Sequence, residues 1–292
     1  MFENDISSKV HRIQTRLEYA TRRWWFFLLI ALIGSIIPPY VSKGYDWSDR
    51  GSILGAIFSQ AIIDSLAPFY AIFRIIPIVL IICIIRLHNG VTRVFSIYVG
   101  ITYVLFAIVQ NIAITDQYGL AIVTGNVVMF LIVAGFWMWE AKVRKNEFIP
   151  MKRPIWRYWA VPLAFLAFWY PLNPDTWRPD FNPLYLLTSS AGLTFCMMTP
   201  VYLTILTLHY PKVNIATMRV TGLVGIIIAS YNMWLNFFLE PSLLWWNGVL
   251  HIPLLCISGH SLGLSLKKRP TEDMQGTGEM DKPCSEPLKW GA

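Results

Sequence analysis

The sequence predicts an all-α fold, a multi-pass transmembrane helical bundle of about eight spans. Three observations point there. The chain is 55% hydrophobic and only 14% charged, where a soluble domain carries about 25% charged residues. Its apolar residues fall in runs of about 20, the length that crosses a hydrocarbon core of about 30 Å. Its basic residues collect in alternate connections, as the positive-inside rule requires.

Residues 1–23 form a cytoplasmic N-terminal segment. It fits either an amphipathic helix on the membrane surface, with Val10, Ile13, Leu17 and Tyr19 near one side, or a solvated basic leader. No small-residue cleavage site precedes Trp24, so no cleavable signal peptide is expected. The transmembrane helical domain covers 24–266, with spans at 24–41, 67–87, 92–111, 119–139, 156–171, 184–208, 218–239 and 242–266. Residues 267–292 are polar and rich in Pro and Gly from Pro270 onward, which predicts a disordered cytoplasmic tail.

Charge sets the expected orientation. Lys9, Arg12, Arg16, Arg22 and Arg23 precede the first span, and Arg86 and Arg93 flank the second connection. Lys142, Arg144, Lys145, Lys152, Arg153 and Arg157 crowd the fourth, and Lys212, Arg219, Lys267, Lys268 and Arg269 keep the alternation. That side is read as cytoplasmic, with both termini on it. Topology thus accounts for the net charge of +7, and no nucleic-acid partner is implied. Cys83, Cys196, Cys256 and Cys284 form no close pair, so neither a disulfide framework nor a zinc site is expected.

The two halves share features in the same order. "RRWW" and "IWRYW" open spans one and five, and prolines followed by Trp and Asp close them. Spans two and six begin "PFY" and "PLY", spans three and seven carry "RVFSIYVGI" and "RVTGLVGI", and Asn126 matches Asn247. The offsets stay near roughly 115–130 residues, which fits a 4+4 tandem repeat as well as chance matches in apolar sequence.

Polar groups interrupt "YNMWLNFFLEPSLLWWNGVLH" at helical spacing. Asn232, Asn236 and Glu240 share one face of span seven, and Asn247 and His251 one face of span eight. The connection at Pro241 is short, so the two helices are antiparallel neighbours. Asn236 then lies near the depth of Asn247, and Asn232 near that of His251. Arg74 and Asn126 enter from other spans, with Glu240 or Asp64 as the counter-ion of Arg74. Tyr231, Trp234, Trp245 and Trp246 stand where they would wall a cavity. The plainer reading is that the Asn side chains only bond neighbouring helices, that Glu240 faces water, and that His251 is packing. Glu140 beside Trp139 and Lys142 reads as an interfacial aromatic belt with a paired charge.

No H-E-x-x-H, phosphate-binding loop, G-x-S-x-G, dinucleotide fingerprint or paired metal-carboxylate motif is present. No metal or cofactor is expected. His251 and His260 lie nine apart on opposite sides of one helix, which argues against haem.

The segment "ASYNMWLNFFLEPSLLWWNGVLHIPLL", with the small size and high aromatic content, resembles the integral-membrane terpene cyclases of fungal meroterpenoid pathways. The resemblance covers mainly 228–266. It implies a helical bundle, in the endoplasmic reticulum membrane, that cyclises a prenyl or epoxyprenyl chain of a lipophilic substrate after an acid starts the reaction. Better-known members carry a Trp–Glu pair in an early helix and an Asp in the last; here the early region offers Asp64, and His260 stands near the second position. Glu240 is the first expectation for the acid and Asp64 the second, since burial against aromatic walls keeps a carboxyl protonated. A direct pairing with Arg74 would make Glu240 a poor acid. Aromatic faces would steady a carbocation, and His251 or Asn247 would take up the final proton or orient a hydroxyl. Two rivals use the same cavity: a proton-coupled transporter built on Glu240, Arg74 and His251, and a quinone-holding anchor subunit. Partners are then the lipophilic substrate and membrane lipids; the sequence does not specify an oligomeric state.

Overall fold

The computed structural model describes residues 2–44, 46, 49–150 and 154–267. The expected tail, 268–292, lies outside them. Eleven α-helices follow in order among the described residues: α1 (Phe2–Arg22), α2 (Trp24–Ile36), α3 (Arg50–Ser59), α4 (Tyr70–Leu87), α5 (Thr92–Val109), α6 (Thr124–Val143), α7 (Ala160–Trp169), α8 (Tyr185–Thr188), α9 (Phe195–His209), α10 (Ile215–Trp234) and α11 (Pro241–Leu266).

Four helical stretches are long and apolar enough to cross a membrane: Ile62–Val109, Thr124–Val143, Ile215–Leu239 and Pro241–Leu266. A fifth is reached if Tyr185–Leu193 and Phe195–His209, bent by 93°, count as one span. The expectation of eight is thus met only in part, and the reasons are local. Inside Ile62–Val109 a positive φ of 47° at His88 ends α4, and α5 restarts after a 3₁₀ turn. Pro38 and Pro39 stop α2 at 13 residues, because proline lacks the N–H a helix needs. Tyr170, left-handed ahead of Pro171, stops α7 after 10 residues. The sixth segment breaks where Gln110 Oε1 accepts the Phe195 N–H at 2.7 Å, satisfying one donor at the start of α9.

The all-α expectation needs one correction. A three-stranded antiparallel sheet, in the order β1 (Tyr40–Val41), β3 (Gly119–Ile122), β2 (Ile112–Thr115), lies between the helices. Ile112 faces Ile122 and Thr115 faces Gly119, whose φ of 67° makes the turn. Residues 119–122, expected to open a span, are therefore a strand, and the helix starts at Thr124.

The core lies where α5, α6, α9 and α10 meet. Phe95, Val99, Tyr103, Trp137 and Tyr202 are fully enclosed there, and Phe130 stacks on Phe195 at 4.2 Å. Buried hydroxyls and the indole bond one another: Tyr103 Oη to Thr199 Oγ1 (3.0 Å), Thr102 Oγ1 to Tyr202 Oη (3.2 Å), Trp137 Nε1 to Thr221 Oγ1 (3.1 Å). α10 and α11 form an antiparallel hairpin in which Gly222 and Gly225 lie against Ser258, leaving no room for a Cβ without displacing it. Small residues let two helices approach this closely.

Candidate functional site

Two buried polar clusters sit at opposite ends of the α10–α11 hairpin. The first lies at its closed end. There α10 passes into a π-helical turn, Leu235–Leu239, before Glu240 and Pro241 reverse the chain. A π turn shifts the following side chains around the axis and recurs at functional sites. Here it carries Asn236 inward, where it is fully buried. Asn236 Nδ2 bonds the Asn232 carbonyl at 2.7 Å, and Asn247 Nδ2 bonds Asn236 Oδ1 at 2.9 Å. Tyr170, at the end of α7, donates to Asn247 Oδ1 at 3.1 Å. One turn further along α11, His251 Nδ1 lies 2.7 Å from the Asn247 carbonyl. A carbonyl accepts only, so Nδ1 carries a proton and Nε2 of the neutral ring presents its lone pair. Nε2 has no partner among the described residues. Asn247 and His251 are 9% and 5% exposed, so the seam is nearly closed, with Gly248 packed under Phe237.

The expected grouping is met for Asn236, Asn247 and His251. Asn232 joins only through its backbone carbonyl, its side chain bonding the Ile228 carbonyl at 2.9 Å and Cys196 Sγ at 3.8 Å. The other expected members lie elsewhere. Glu240 is exposed between the two helices and makes no side-chain hydrogen bond or ion pair among the described residues. Asp64 is exposed in the 3₁₀ segment Ile62–Phe69. Neither carboxyl has the apolar enclosure that the acid role requires. Arg74 is fully buried and pairs with neither. Its Nε donates to the Leu186 carbonyl (3.0 Å), and Nη2 to those of Tyr185 (2.8 Å) and Trp169 (3.2 Å). The guanidinium lies 4.1 Å from the centre of the Phe168 ring. It thus satisfies the Trp169 carbonyl at the end of α7, where the helix dipole favours a cation, and two carbonyls in the single turn of α8.

The aromatic wall also differs from expectation. Tyr231, Trp234 and Trp245 are exposed: Tyr231 Oη bonds Ser35 Oγ at 2.8 Å, and Trp234 stacks on Phe238 at 5.0 Å. Only Trp246 turns inward, its Nε1 donating to the Pro171 carbonyl at 2.8 Å beside the seam. Asn126 bonds Asn111 Oδ1 at 2.9 Å, bridging α6 to the end of α5.

Sequence reasoning missed the second cluster, at the opposite end. Glu140 is not a belt residue paired with Lys142; it is fully buried. It accepts from the Asn146 N–H and from Asn214 Nδ2, both at 2.7 Å. Asn214 Oδ1 in turn caps the start of α10 and accepts from Gln14 Nε2 at 3.0 Å. Gln14 Oε1 takes the Trp139 indole N–H at 2.8 Å, and Lys145 pairs with Glu18. Arg219 donates to the Glu18 carbonyl (3.0 Å), Thr21 Oγ1 (2.8 Å) and the Ser265 carbonyl (2.6 Å). Gln14, Glu18 and Thr21 share one face of α1, so this network clamps α1 across the ends of α6, α10 and α11. The one local signal was Asn214 just ahead of "IATM", a helix-start residue.

Among the described residues no group of three or more His, Cys, Asp or Glu could hold a metal ion. No protein-family model, curated protein or solved structure matches the chain.

Proposed function

We propose that the chain is a multi-pass membrane protein that binds a lipophilic, hydroxyl-bearing molecule at the closed end of the hairpin, and that it cyclises an epoxyprenyl phenol there. The observation that carries this reading is His251: a nearly enclosed ring whose Nδ1–H is anchored on the Asn247 carbonyl and whose Nε2 is unpartnered among the described residues. The unpartnered Nε2 is an acceptor open to a hydroxyl donor.

The chemistry follows from that acceptor. Nε2 takes the phenolic proton, and the phenolate oxygen forms a bond to an epoxide carbon as the epoxide C–O bond breaks. The resulting alkoxide recovers the proton from the imidazolium. The product is an isomer of the substrate, and no co-reactant is needed. The route starts from a base, which differs from the acid-started route of the cyclases this sequence resembles. The reason is that Glu240 and Asp64 are exposed.

Charge supports the proposed orientation, with both termini cytoplasmic. Exposed Arg12, Arg16, Lys142, Arg144 and Lys267 lie at the end clamped by α1, while at the other the exposed cations Lys43 and Arg178 are fewer and stand beside Asp116 and Asp175. The endoplasmic reticulum placement rests on the resemblance alone. The tandem repeat belongs to the same proposal: Asn126–Asn111 and Asn247–Asn236 tie two successive helices at the same end of each hairpin, both at 2.9 Å.

The test is to incubate membranes containing the full chain with prenylated phenols and their epoxides. Isomeric cyclised products, absent from control membranes, are expected. Uptake of the compounds into sealed vesicles without any chemical change would contradict the cyclase and favour the transporter.

A further inference from the structure

The clamp on α1 leaves most of that helix uncovered, and its free surface is organised. Gln14, Glu18 and Thr21 face the bundle. About a quarter-turn away run Val10, Ile13 and Leu17, with Ile13 44% exposed. Beyond them lie exposed Arg12 and Arg16, neither with a side-chain partner among the described residues, beside an open concavity lined by His11, Thr15 and Tyr19. Arg22 reaches the Leu266 carbonyl at 3.4 Å and Arg23 covers the Tyr19 ring at 4.2 Å, so the cations continue to the start of α2.

Position gives this pattern its meaning. α1 crosses the ends of α6, α10 and α11, which carry three of the stretches long enough to span a bilayer. Where such helices emerge is the headgroup level. A helix fixed at that level, with an apolar stripe beside a basic one, matches an interfacial element. The charge of its uncovered side fits an anionic surface.

We infer that α1 docks on anionic lipid headgroups through Arg12 and Arg16, with Val10, Ile13 and Leu17 entering the acyl boundary. The inference rests on the multi-pass reading and not on the chemistry at His251, so the two fail separately.

The test uses the full chain in neutral detergent, with thermal unfolding followed by tryptophan fluorescence. A ligand that binds only the folded state raises the midpoint with its concentration. Phosphatidylglycerol is expected to raise it by several degrees more than phosphatidylcholine. In Arg12→Glu/Arg16→Glu the half-effect concentration should rise on the order of 25-fold for each reversed charge, because a reversal changes the charge by two and each unit is worth about fivefold. Far-UV helicity of that variant is recorded alongside; if it is lost, Arg12→Gln/Arg16→Gln is read instead, with about fivefold expected for each charge removed. Equal responses to the two lipids, or an unchanged increment in the folded variant, would overturn the inference. So would full reproduction of the effect by inorganic phosphate, which would make the groove a free-phosphate site.

Discussion

The α10–α11 hairpin buries polar groups at both ends, and the two ends do it differently. At the α1 end, Glu140 and Arg219 sit among Asn214, Gln14, Asn146 and Thr21, Glu140 accepting from two donors and Arg219 donating to three acceptors. At the closed end the seam is neutral, its bonds run from Asn236 to Asn247 to Tyr170, and one ring nitrogen is left over. Among the described residues Asn146 Nδ2 stays without a partner there, but a network tied across several elements is what a static joint requires. A neutral seam with one spare acceptor can exchange partners, which is what binding requires.

That contrast predicts a graded response to substitution. Glu140→Leu removes an acceptor and strands two buried donors, so it should lower unfolding stability by about 3–5 kcal/mol, measured in detergent. Glu140→Gln should cost roughly half of that, because one amide oxygen still accepts. Arg74→Leu strands the carbonyls of Trp169, Tyr185 and Leu186 and should cost about 2–4 kcal/mol, with Arg74→Lys recovering part. An Asn236/Asn247 double-mutant cycle should give a coupling of only about 0.6 kcal/mol, the usual size for interhelical side-chain bonds in membranes. Glu240→Gln, at an exposed site, should change stability by less than about 0.5 kcal/mol and leave product formation intact. A coupling at the Asn pair as large as the Glu140 effect would erase the distinction between the ends.

The sequence made the seam readable and the joint not. Asn236, Asn247 and His251 follow helical spacing around a short connection, so periodicity aligned them, but the π turn at Leu235–Leu239 could not be foreseen, and the Asn232 side chain turns to Ile228 and Cys196 instead. Glu140 looked paired because Lys142 stands two residues away, whereas its partners are Asn146 and Asn214, the latter 74 positions on. Long-range pairing leaves no periodic trace. Arg74 was assigned a carboxylate because side chains are visible in a sequence and backbone carbonyls are not. The strand at Gly119–Ile122 reads as apolar as the helix after it, so hydropathy fused them. Tyr231, Trp234 and Trp245 were placed by proximity in the chain, but consecutive helical positions point in different directions, and these three point outward.

The most direct measurement compares His251→Gln with the unsubstituted chain in turnover of an epoxyprenyl phenol. Glutamine keeps a polar side chain but cannot carry a proton between oxygen atoms. The account predicts that cyclised product disappears while the unfolding midpoint shifts little. Full turnover by a folded His251→Gln protein would contradict it.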